Sequence, residues 1–239
     1  MQLDKDKDKD NVDKCIAYIQ GNVNDEIPYN FINASGEEKV KLLSVVMHPR
    51  NNKSVEHFRK IIKLFSAISD SPDILLALRN NLGLFVFCPY LNSDIGATIL
   101  SKIARMKMED KTELQKTCVD LCYPQRSQWV SMFLLEYKIE KMLSTLAADN
   151  TFCQEIKNSF HNYLTTRNLD NLQQACTHVA DAKVVVVDFP KKELGWFYPF
   201  FRKNTTLRSM LVKLDRALCP LLSAHQISYE DQKHKEVVV

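Results

Sequence analysis

The sequence predicts an all-α protein: an irregular multi-helix bundle or a degenerate α-solenoid of about nine to ten helices. Three observations carry that expectation. Apolar residues recur at helical spacing along most of the chain. Nearly every break between those stretches holds Ser, Asn, Asp, Pro or Gly, the residues that cap helices and form turns. Only five glycines occur in 239 residues, too few for the many tight turns of sandwiches and barrels.

Residues 4–10 alternate Asp and Lys and offer nothing to bury, so a disordered tail is expected over 1–10. The helical domain is expected over 11–227. Val12, Cys15, Ile16 and Ile19 share one helical stripe, and Gly21 stops it. Pro28–Ile32 reads as a single turn. Ser35 and Glu38 form a capping box before Val40, Leu43 and Val46. Ser54 caps a stripe of Phe58, Ile61, Ile62 and Phe65. Ser71-Pro72-Asp73 reads as an N-cap with proline just inside the helix, which is expected to run to about Arg79. Leu82–Leu91 fits a buried helix or an extended link. Ser93 caps the next helix, to about Met106, and Asp110 with Glu113 suggests a second capping box.

Any sub-boundary is expected near 123–126, with a single continuous core an equal fit, and a helix is expected from Ser127 to about Ala148. Further helices are expected from Asn150 or Thr151, from Asn168, and from about Thr206 to Pro220. Val184–Val187 reads as the end or continuation of the preceding helix, or as an extended link. The last segment, 228–239, is expected to be a disordered tail.

Composition narrows the class. A hydrophobic fraction of 45% and a charged fraction of 26% are ordinary for a globular protein. The longest uncharged run, Asn80–Ser93, is too short to span a bilayer. The first residues have no signal-peptide pattern, so the expected location is cytoplasmic. Seven cysteines, an odd number, read as reduced and mostly buried thiols. Cys118 and Cys122 share a helix face but lack the second ligand pair that structural zinc needs, so no metal and no cofactor are expected. Cys153, His161 and Asp170 stand in a protease-like order, yet the first two lie about 12 Å apart along one helix. No phosphate-loop, dinucleotide or zinc-protease motif occurs, and no catalytic residue is assigned.

One stretch breaks the pattern. Five of the six residues Trp196–Phe201 are aromatic. From Pro190 to Arg216 there are seven basic residues and two acidic ones, a net of +5 against +3 for the whole chain. These aromatics can plug a bundle end, with Lys and Arg reaching to water. They can also anchor a protein partner, because aromatics and Arg dominate interface hot spots. An anionic membrane surface is a further fit, whereas a net charge of +3 is small for nucleic acid. The expected function is therefore non-enzymatic binding of another protein by an adaptor-like module. Trp196 and Tyr198 are the expected anchors, and Arg202, Lys203 and Arg208 are expected to orient an acidic partner or headgroup. The alternatives are an enzyme with a Cys/His site assembled between helices, or a peripheral protein recognising anionic lipids.

The C-terminal segment adds two weaker signals. Val237–Val239 has the hydrophobic pattern of one class of PDZ ligands. The polar, acid-containing stretch around Glu230, Asp231 and Glu236 resembles the C-terminal export signals of bacterial type IV secretion effectors. That resemblance covers about a dozen residues and implies work in a host cytoplasm, with no activity attached.

Overall fold

Local capping chemistry sets many of the helix ends. Ser35 Oγ accepts from the Glu38 amide at 3.3 Å, and the Glu38 carboxylate accepts from the Ser35 amide at 2.9 Å. Ser54 Oγ accepts from His57 N at 3.1 Å. Asn168 Oδ1 accepts from Asp170 N at 2.8 Å. Each bond satisfies an amide with no partner in the first helical turn. Gly21, at φ 80°, ends the first helix in the left-handed conformation that glycine adopts without a steric cost.

The computed structural model describes residues 5–21, 26–48, 54–88, 91, 93–121, 127–146, 151–187 and 207–225. Among them are eleven helices and no strand. They are α1 (Lys5–Ile19), α2 (Tyr29–Ile32), α3 (Gly36–Val46), α4 (Val55–Ser66), α5 (Ser71–Phe87) and α6 (Ser93–Ala104). There follow α7 (Met108–Leu121), α8 (Gln128–Ser144), α9 (Thr151–Thr166), α10 (Leu169–Val187) and α11 (207–225). The expected all-α class holds, with the one-turn α2 as the additional helix.

Several ends differ from expectation, each for a physical reason. Helix α1 begins at Lys5, ahead of Asn11. Lys14 pairs with Asp10 one turn away at 2.5 Å, an ion pair at i,i+4 that supports this helix. Asp70 takes the N-cap position of α5 without a side-chain capping bond, and Ser71 lies inside the helix. The Ser71 hydroxyl accepts from Lys107 N at 2.8 Å and donates to Asp110. A tertiary contact with the start of α7 thus takes the hydroxyl that sequence assigns to a local cap. The ambiguous run after Leu82 is helical as far as Phe87, with a kink at Asn81 (φ −124°, ψ 16°). The Asn81 side-chain amide donates to the Ala77 carbonyl at 2.8 Å.

Helix α7 starts at Met108, so Asp110 sits in its first turn beside Glu109 and does not form a capping box. Helix α8 ends at Ser144, short of Ala148. Helix α10 continues to Val187, so the β-branched run is helical. Pro220 does not stop α11. It lies on the exposed side, as does Arg216 four residues earlier, so the carbonyl that loses its amide partner can take water. Burial of Leu218 and Leu221 on either side holds the helix down.

Two compact units divide at Ser131/Met132, inside α8 and a little beyond the expected link. In the first unit α1 packs on α3, α3 on α5 and α5 on α7, while α4 packs on α6. Alternate helices thus pack on one another in rows. Successive helices within a row start 31 to 38 residues apart. The core contains Phe31, Leu43, Phe58, Phe65, Phe85 and Ile99, all buried. The Phe65 and Phe85 rings lie 5.2 Å apart and tilted. Trp129, at the start of α8, is buried and donates from its indole to the Phe85 carbonyl at 2.7 Å.

The second unit comprises the rest of α8 with α9, α10 and α11. Helices α8 and α9 run antiparallel, because Glu136 meets Tyr163 while Lys157 meets the Leu146 carbonyl. Helices α9 and α10 form a hairpin. Helix α11 joins them through Lys183–Asp215 to α10 and His225–Tyr163 to α9. Ile139, Ile156, Phe160, Leu172, Val179 and Leu214 supply its buried core.

Candidate functional site

Helix α11 has two contrasting sides. Leu211, Leu214, Ala217, Leu218 and Leu221 recur at helical spacing and are buried. Arg208, Lys213 and Arg216 are exposed. The acid between them, Asp215, is paired with Lys183 of α10 at 2.5 Å. Its charge is thereby neutralised locally, and the outward face of α11 is left basic. Of the sequence-expected binding residues, Arg208 lies on this face. Trp196, Tyr198, Arg202 and Lys203 lie outside the described residues.

Beneath the C-terminal end of α11 lies a polar cluster that sequence reasoning missed. Glu136 Oε1 accepts from Tyr163 Oη at 2.7 Å and from Arg167 Nη1 at 2.6 Å. Tyr163 Oη also lies 2.6 Å from His225 Nε2. With the Tyr163 proton committed to Glu136, the hydrogen of the second bond sits on Nε2 of a neutral His225. The His225 ring meets the Tyr163 ring edge-on at 5.6 Å, and the Arg167 guanidinium lies 5.5 Å from the Tyr163 ring. Three helices are joined here through one phenol oxygen.

Burial governs the electrostatics. It raises the Glu136 carboxyl above the ordinary range, with Arg167 and Tyr163 pulling it part of the way back. Burial and then the charge of Glu136 push the Tyr163 phenol up. Burial, then Arg167, hold the His225 imidazole down at about 4. Arg167 has a left-handed backbone, φ 58°, at the end of α9, and its amide donates to the Tyr163 carbonyl at 2.7 Å. Glycine or asparagine normally fills such a position. A non-glycine residue there costs about 1 kcal/mol, which its side-chain contacts with Glu136 offset.

One signal for the cluster was available in the sequence. Glu136 falls on the apolar stripe of α8, three residues after Phe133 and seven before Leu143. A charged residue at such a position needs a buried partner. Nothing local identifies Arg167 or His225 as that partner.

Among the described residues, Cys153, His161 and Asp170 do not come together as a site. Cys153 is buried, whereas His161 on the same helix and Asp170 are exposed. The Cys176 thiol is pushed up to about 11 by burial, then by Cys219 and Asp215, and burial does the same to Cys15. Both are protonated near neutral pH and poor nucleophiles. A cleft of about 490 Å³ in the first unit, lined by Ile27, Ile62, Lys63 and Ile95 among others, has no cysteine or histidine in its wall. Among the described residues no three His, Cys, Asp or Glu side chains converge to hold a metal. Nor is any described helix long and apolar enough to cross a membrane.

No protein-family model, curated protein or solved structure matches this chain.

Proposed function

We propose that the chain is a non-enzymatic helical binding module that docks an acidic partner protein on the outward face of α11. The observation that carries this reading is the exposure of Arg208, Lys213 and Arg216 while Asp215 is neutralised by Lys183. Trp196 and Tyr198 are the anchors in this proposal, with Arg202 and Lys203 extending the basic surface from the segment before the helix. Such a surface accelerates encounter with an acidic protein and weakens as salt screens it.

The test is affinity purification with mass spectrometry from the native cellular context, comparing the full chain with Arg208→Glu/Lys213→Glu/Arg216→Glu. The reading expects an acidic protein whose recovery falls about tenfold or more in the variant, and falls with added salt, while circular dichroism stays helical. Equal recovery of the same partner from the folded variant refutes it. Salt-sensitive sedimentation with anionic vesicles, without protein recovery, would replace it with the lipid-binding alternative.

The same proposal extends to where the protein works. The likeness of the segment around Glu230, Asp231 and Glu236 to type IV export signals supports delivery into a host cytoplasm. A translocation reporter fused to the chain tests this, and undiminished transfer after deletion of 228–239 counts against it.

A further inference from the structure

The cluster under α11 contains a feature that its internal bonds do not explain. Arg167 engages Glu136 through Nη1 alone. Its Nε and Nη2 are buried and have no acceptor among the described residues. Those two nitrogens form the side-on edge of the guanidinium, whose parallel N–H bonds match the two oxygens of a carboxylate or phosphate group. A buried N–H pair on a cation is costly to leave unsatisfied. The residue is also held in the left-handed region, at φ 58°. Its side chain is 13% exposed, and the adjoining Thr166 and Asn168 are exposed.

We propose that the Nε–Nη2 edge of Arg167 is a binding site for a small oxyanion, a carboxylate or phosphate group lying in the guanidinium plane. The groups around it set the conditions. Glu136 and Glu140 on α8, Tyr163 on α9 and His225 on α11 are the titratable residues coupled to one another there. Glu136 already balances the charge of Arg167, so an arriving anion makes the cluster negative. Binding is therefore coupled to uptake of one proton by Glu136 and strengthens as pH falls. The site is independent of the outward basic face and of any partner docked there.

The test uses the full chain at constant ionic strength, with sodium acetate and sodium phosphate titrated separately and sodium chloride as the control. Calorimetry and the thermal midpoint are followed at pH 5.5 and 7.5. The expected result is saturable binding of one equivalent of acetate, phosphate or both, tighter at the lower pH, with protons taken from the buffer. Arg167→Lys keeps the charge but not the planar fork and is expected to abolish saturation. Glu136→Gln removes the competing charge and is expected to tighten binding at pH 7.5 about tenfold. If Arg167→Lys does not fold, the Glu136→Gln comparison decides. No saturation beyond the chloride control, or unchanged or weaker binding in Glu136→Gln, overturns the proposal. Retained binding in a folded Arg167→Lys does so too, as does a crystal structure in acetate or phosphate with only water on both nitrogens.

Discussion

Titrating His225 tests whether the buried cluster contributes to stability. The folded protein holds this imidazole at about 4, below the 6.5 of an unburied histidine. Below pH 6.5 the unfolded chain takes up a proton that the native chain refuses, so stability present above pH 6.5 is lost as pH falls toward 4. At pH 5 the full shift corresponds to about 2 kcal/mol. His225 is only partly buried, and solvent screening reduces the expectation to about 1 kcal/mol. Glu136 acts in the opposite direction. Its folded carboxyl is raised, so the native state binds a proton first and gains stability on acidification. The two are separated by comparison with His225→Gln, whose amide can still donate to Tyr163 Oη but does not titrate. Urea denaturation at pH 7.5 and pH 5 is the assay. Wild type is expected to lose about 1 kcal/mol more than His225→Gln between these two pH values. Equal losses in the two proteins would show that His225 is not held neutral by its surroundings, and the account of the cluster fails with it.

Two further predictions concern the first unit. A Cβ added at Gly36 would lie 1.7 Å from Asp73 Oδ2 and 2.6 Å from Asp73 Cγ. Gly36→Ala is therefore expected to destabilise by about 1–3 kcal/mol, despite the better helix propensity of alanine. In an Asp73→Ala background the same change is expected to be neutral or stabilising, and urea midpoints of the four proteins check the cycle. Trp129→Phe removes the indole donor from the buried Phe85 carbonyl, and a loss of about 1–3 kcal/mol is expected in chemical denaturation. A loss below about 0.5 kcal/mol would mean that the carbonyl finds another donor.

Much of the helical framework was legible because its determinants are local. The Ser35–Glu38 box, the Ser54 cap, the Asn168 cap and the Gly21 stop each depend on residues within four positions of one another. The buried stripe of α11 and the exposure of Arg208 follow from the same 3.6-residue period. Errors arose where a distant partner outbid a local one. Ser71 has the chemistry of a cap, yet its hydroxyl bonds to Lys107 and Asp110 on the far side of α5 and α6 in sequence. Pro220 has the chemistry of a stop, yet buried leucines flank it in a continuing helix.

The sequence by itself determined the helical class, the places where most helices are capped, and a concentration of positive charge between Pro190 and Arg216. Those properties depend on composition and on neighbours along the chain. Only the tertiary structure decided that Asp215 is neutralised by Lys183, leaving the rest of that face basic. It alone joined Glu136, Tyr163, Arg167 and His225, which come from three helices. The physical reason is the same in both cases. A charge or a phenol is indifferent to its distant neighbours in an extended chain, and acquires its partner, and its pKa, only when burial removes the competing water.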